Sequence, residues 1–225
     1  MLTQAIADLL PAAIAVALSP IPIVAVVVVL GTPRARSNGL AFAVGWVVGL
    51  SVVSVVVVGL LGGSDDADSG QAVASGTMQL ALGLLLLVLA VRKWRTRPRG
   101  DEEPEMPGWL ASMDQMHAGR ALVLGLLLSG VNPKNLALTA SASASIAQAG
   151  LDTTDTVVAI VVFVVLGSIT VAGAVIASLL APRRTAAPLA SIKTFMAANN
   201  AAIMMVILLL FGTKLVGEGL AALTG

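Results

Sequence analysis

Lys134 stands inside an apolar run, in the stretch Ser129-Gly130-Val131-Asn132-Pro133-Lys134-Asn135, and it is the residue with the most chemistry to offer. An ammonium near the middle of a bilayer is costly unless it faces water, a partner or a substrate. Lysines near helix ends escape by snorkelling, and Lys134 is too deep for that. Asn132 and Asn135 flank it with amide donors and acceptors, and both also suit the ends of half-helices. A second interruption, Ser19-Pro20-Ile21-Pro22, lies in the first apolar run. Proline removes one backbone hydrogen bond and blocks another, and in hydrocarbon the freed carbonyls must be buried in protein or face a wet cavity. Pro20 precedes Arg34 by 14 residues and Pro133 follows Arg120 by 13. At 1.5 Å per residue both breaks lie about 20 Å from a basic loop, near or just beyond the midplane. One break reads as a kink; two in corresponding spans read as a substrate path.

The sign of the substrate follows from what is missing. No carboxylate falls in the middle of any apolar run, since Asp8 and Glu218 sit near run ends. Cation and proton transporters usually keep an intramembrane Asp or Glu, so a lone deep cation suits phosphate, sulfate or carboxylate instead. Asn199 and Asn200 open the last run and join Ser19, Pro20, Pro22, Asn132, Pro133, Lys134 and Asn135 as candidates for substrate binding or translocation. Their plainer role is to start that helix at the membrane surface. Lys214 reads as an interfacial anchor, and His117 as a solvated loop residue. Gly39, Gly45 and Gly49 (with Ala41), Gly167 and Gly173 read as close-packing positions between helices.

Composition narrows the class further. The 225 residues are 57% hydrophobic and 11% charged, with mean hydropathy +0.97, too little charge to cover a soluble domain. There is no cysteine and one histidine, which excludes disulfides, thiol catalysis and multi-histidine metal sites. No nucleophile–base pair, acid pair or metal cluster is visible, so neither an enzyme nor a bound cofactor or metal is expected. The net charge of +1 is not gathered into a groove-facing patch, so no nucleic acid is expected as a partner.

Runs near Leu9–Leu30, Leu40–Leu61, Val73–Val91, Ala121–Ala147, Thr156–Leu180 and Ala197–Val216 are each long enough to cross a core of about 30 Å, which takes roughly 20 residues. Every Lys and Arg except Lys134 and Lys214 falls in alternate connectors: Arg34 and Arg36; Arg92 to Arg120; Arg183, Arg184 and Lys193. The connectors Gly62–Gly76 and Gln148–Asp155 carry only acids. The positive-inside rule puts the basic loops in the cytoplasm and both termini outside. The first apolar segment lacks a basic leader region and belongs to the mature protein. Within the long basic loop, Met106, Trp109, Leu110, Met113 and Met116 recur at helical spacing opposite Asp114 and Gln115, the pattern of a helix lying in the inner interface or docking a partner.

The first and fourth runs share the proline interruption, and the second and fifth share Val48-Gly49-Leu50-Ser51 against Leu166-Gly167-Ser168-Ile169. The expected fold is therefore an all-α integral membrane protein, six helices in two inverted three-helix repeats, with helices 1 and 4 broken at prolines. Residues 1–91 form the first repeat, 92–119 a cytoplasmic loop with the interfacial helix, and 120–225 the second repeat.

Ala17-Leu18-Ser19-Pro20-Ile21-Pro22, Pro33-Arg34-Ala35-Arg36-Ser37-Asn38-Gly39-Leu40-Ala41-Phe42 and Asn132-Pro133-Lys134-Asn135-Leu136-Ala137-Leu138 resemble the GAP family of sulfolipid-1-addressing proteins, within the LysE superfamily of exporters. Ala198-Asn199-Asn200-Ala201 and Gly212-Thr213-Lys214-Leu215-Val216-Gly217 are similar to that family's final span, so the resemblance runs nearly the whole chain in order. It implies export of a lipid or glycolipid from a bacterial inner membrane toward the envelope, alone or assisting a larger lipid transporter. Membrane lipids are then partners and an anionic lipid or glycolipid the substrate; a homodimer through glycine-lined faces is an open alternative. Two rival functions stand beside it: export of a small organic solute such as an amino acid, and a non-transporting accessory subunit of a larger exporter.

Overall fold

The computed structural model describes residues 1–62, 69–97 and 116–224. These residues form nine helices and no strand: α1 (Leu2–Ala17), α2 (Pro20–Leu30), α3 (Ala35–Leu61), α4 (Ser69–Arg95), α5 (Ala118–Gly130), α6 (Pro133–Gln148), α7 (Thr153–Leu180), α8 (Pro182–Ala198) and α9 (Asn200–Thr224). Four of them, α3, α4, α7 and α9, are long and apolar enough to cross a membrane. The pairs α1–α2 and α5–α6 are bent by 51° and 60° at short breaks, and each is one further candidate span. The chain is thus a multi-pass membrane protein with four to six candidate spans. The breaks fall at Ser19-Pro20 and Asn132-Pro133, where the sequence places them.

The outer faces follow from lipid as solvent. Val44, Val48, Val52 and Val55 are exposed along one side of α3, and Val161, Val165, Ile169 and Ile176 along one side of α7. Such stripes would drive aggregation in water; against acyl chains they cost nothing.

Inside, α6 is the most enclosed helix, packed by α1, α3 and α7. Its Thr139-Ala140-Ser141-Ala142-Ser143-Ala144 run is buried throughout. Small side chains let neighbouring backbones approach where burial of apolar area offers no drive. Phe42, Trp46 and Phe163 are fully buried in the core, and the Trp46 indole of α3 donates to the Gly167 carbonyl of α7 at 3.3 Å. Two intimate helix pairs, α3 with α5 and α4 with α9, hold the bundle together. Gly150, at φ +58, turns the chain out of α6, and Asp152 then caps α7 by accepting from the Asp155 N–H at 2.8 Å.

Three expectations need correction: the connector before the last run, where that run begins, and Gly173. The connector between the fifth and sixth runs is not a plain loop: it is α8, started by Pro182 at its first turn and carrying Arg183, Arg184 and Lys193. The last run begins inside this helix at Ala197, and the membrane-length helix starts only at Asn200. Gly173 is not a packing position, since a Cβ there would meet nothing within 4 Å. His117 caps α5, accepting from the Arg120 N–H at 3.4 Å. Lys214 pairs with Glu218 one turn along, at 2.9 Å. The helix expected over 106–116 lies outside the described residues except for Met116, whose carbonyl accepts from the Asn38 amide at 3.0 Å.

Candidate functional site

The two helix breaks meet. Pro20 has no N–H to give the Val16 carbonyl, and Pro22 has none for Leu18. The Ser19 N–H turns to Val16 at 3.2 Å instead of Ala15. The Ala15 carbonyl, left without its helical donor, accepts from the Lys134 ammonium at 2.6 Å. The next freed carbonyl, Ala17, accepts from the Thr170 hydroxyl of α7 at 2.6 Å. The same accounting holds at the second break. The Asn132 N–H bonds Leu127 at 3.0 Å rather than Leu128, and the free Leu128 carbonyl accepts from the Asn135 amide at 2.8 Å. Asn132 itself caps α6, its side-chain oxygen accepting from the Lys134 N–H at 3.1 Å.

One directed chain of hydrogen bonds ties the breaks together. The Lys134 ammonium donates to the Ser19 hydroxyl at 2.5 Å. That hydroxyl donates to the Asn135 oxygen at 2.8 Å. The Asn135 amide then donates to Leu128. Ser19, Lys134 and Asn135 are all buried, Lys134 with 2% of its surface exposed. Among the described residues the one ion pair is Lys214–Glu218, and no carboxylate reaches Lys134. What balances the ammonium is the carbonyl end of α1, the negative pole of that helix. Dipoles compensate a charge only partly.

Seven of the nine sequence candidates therefore come together: Ser19, Pro20, Pro22, Asn132, Pro133, Lys134 and Asn135. Asn199 and Asn200 have no hydrogen bond to this cluster. Asn199 ends α8 by donating to the Phe195 carbonyl at 2.9 Å, and Asn200 opens α9 with its side-chain oxygen buried and unpartnered among the described residues. The sequence reading passed over Thr139 and Ser143. They follow Asn135 at successive four-residue steps on one face of α6, buried, with hydroxyls that have no partner among the described residues. Spacing by four of small polar residues within a span was the signal for them. No group of three His, Cys, Asp or Glu able to hold a metal occurs among the described residues.

Asn135 serves both breaks at once, so its replacement tests the geometry. Asn135→Leu leaves the Leu128 carbonyl without its donor and the Ser19 hydroxyl without its acceptor, at a cost of about 1–3 kcal/mol. The expected result is a lowered midpoint in thermal unfolding of the detergent-solubilised protein; an unchanged midpoint would contradict the bonding described.

Comparison with known proteins agrees with the resemblance read from the motifs. The sequence profile of the family described as Sap, sulfolipid-1-addressing protein, matches residues 9–221. No curated protein and no solved structure matches the chain.

Proposed function

The chain belongs to the sulfolipid-1-addressing protein family, and from that premise we propose that it exports an anionic lipid or glycolipid across a bacterial inner membrane toward the envelope. The observation that carries this reading is the junction of the two breaks, where the Lys134 ammonium rests on the Ala15 carbonyl with no carboxylate beside it among the described residues. In this reading each bent pair is one span, the chain crosses six times, and both termini lie outside, because the basic connectors mark the cytoplasmic side. The α6 half-helix then leads from the junction to the outer surface. Thr139 and Ser143 supply hydroxyls along that route.

The packing also suits two inverted three-helix repeats of the LysE superfamily type. Exchanging the halves maps the contact of α3 with α5–α6 onto that of α7 with α1–α2, while α4 exchanges with its own partner α9. Such repeats place a substrate site at the midplane, between broken helices. Lys134 leaves the α1 carbonyls for the substrate's phosphate, sulfate or carboxylate, and returns when the head group departs. No chemical step is involved, so the protein acts as a carrier rather than an enzyme.

Reconstitution provides the test. Liposomes containing a labelled anionic lipid in one leaflet should show its transfer to the other at a rate well above that of protein-free vesicles. Pro133→Ala, which restores a backbone donor at the break, should slow it. Transfer no faster than in protein-free vesicles, with the protein folded, would overturn the proposal and leave the accessory-subunit reading in its place.

A further inference from the structure

A cavity of about 370 Å³ opens between α2, α7 and α8, reaching α2 at Val27 and Leu30, toward the end of that helix away from the break at Pro20. Val27 and Leu30 of α2, Leu179 of α7 and Leu189 of α8 form apolar walls, and Arg36 and Lys193 line the same space. None of the residues lining it is acidic. Among the described residues neither cation is in an ion pair, since Lys214–Glu218 is the one found. The wall formed by α8 is unusual: none of its residues is buried. It exposes Ile192 and Phe195 beside the charges of Arg183, Arg184 and Lys193. A helix with exposed apolar side chains among basic ones lies at the level of lipid head groups. An apolar groove with two unopposed cations at that level matches an amphiphile that is anionic at one end and hydrocarbon at the other.

We propose that this groove binds an anionic lipid of the inner leaflet, its head group on Arg36 and Lys193 and an acyl chain along Val27, Leu30, Leu179 and Leu189. The site deepens the proposed export by marking where the lipid is gathered before it reaches the helix breaks. It rests on that reading for its cytoplasmic side, while lipid binding is measured without transport.

The experiment titrates the full-length protein in neutral detergent with phosphatidylglycerol, and with phosphatidylcholine as the zwitterionic control, reading bound lipid by native mass spectrometry. Each lost charge weakens attraction to an anionic lipid about fivefold. Arg36→Gln with Lys193→Gln should therefore weaken phosphatidylglycerol binding about 25-fold and leave phosphatidylcholine binding unchanged. Ala186→Phe, which fills the groove and keeps both charges, should lose phosphatidylglycerol as well, so the result does not hang on one variant's folding. Equal binding of the two lipids by wild type, or undiminished phosphatidylglycerol binding by both groove variants, would overturn the assignment. Displacement of phosphatidylglycerol by inorganic phosphate at equal concentration would make it a small-anion site instead. Cross-linking of position 36 to the chain's own acidic stretch 101–105 in place of lipid would assign the groove to that stretch. Groove binding that survives while reconstituted protein transfers nothing would overturn export and leave the lipid site standing. Transfer that survives loss of groove binding would leave both the lipid site and export standing and overturn the groove's role in gathering the lipid.

Discussion

Lys134→Met is expected to reduce transfer of an anionic head group about a hundredfold or more, the size seen when one partner of a buried charge pair is removed. The same substitution should leave the protein about as stable as wild type. Its ammonium is buried at 2% exposure with two hydrogen bonds and no carboxylate among the described residues. Methionine has similar volume and no charge to desolvate. Exchange of a buried charge for a packed apolar side chain is neutral or stabilising by about 1–4 kcal/mol. Against that, the Ala15 carbonyl loses its donor, at about 1–3 kcal/mol. The two ranges overlap, so the melting temperature should stay close to that of wild type. Thermal unfolding in detergent beside transfer in liposomes separates the two roles. A stable variant that has lost transfer marks a substrate residue, whereas a variant that unfolds early and transfers lipid while folded would make Lys134 a structural staple.

The second large effect concerns the seam between α3 and α5. At Gly45 a Cβ would overlap the Leu122 carbonyl oxygen and lie 2.9 Å from its carbon. At Gly125 it would overlap the Phe42 carbonyl oxygen and lie 2.9 Å from the Trp46 nitrogen. These are backbone atoms, which cannot swing aside as a side-chain tip can. Gly45→Val or Gly125→Val must therefore push the helices apart, at about 3 kcal/mol or more, and folding in the membrane should fail or the melting temperature fall steeply. Gly173→Ala is the control. With nothing within 4 Å of the added methyl, it should change stability by less than about 1 kcal/mol. Equal tolerance of both substitutions in thermal unfolding would contradict the seam. The seam matters to function because α5 runs straight to the second break, so its position sets where α6 begins and where Lys134 lies.

The sequence alone determined the class and the breaks, because both rest on local chemistry. Hydrocarbon demands apolar runs of a given length, and Pro20 with Pro22, or Pro133 behind a capping asparagine, cannot continue a helix. Even here the local rule has an edge. Pro11 and Pro188 lie inside α1 and α8 without ending them, since a single missing donor can be tolerated where no second interruption follows. The seam glycines Gly45 and Gly49 were legible because small residues in a span have few other uses. Gly173 was misread because spacing cannot tell a helix neighbour from lipid.

Only the tertiary structure decided which carbonyl each freed donor meets. Lys134 and Ala15 are 119 positions apart, and Ser19 and Asn135 are 116 apart; no window of sequence contains either pair. The same holds for the groove. Arg36, Leu179 and Lys193 read separately as loop charges and span filler. They became one amphiphilic surface only when α8 folded back against α2 and α7. Hydrophobic length and backbone chemistry are properties of a segment and can be read along the chain. The partner of a buried polar group is a property of packing, fixed only when distant helices are pressed together and every freed donor and acceptor must find its match.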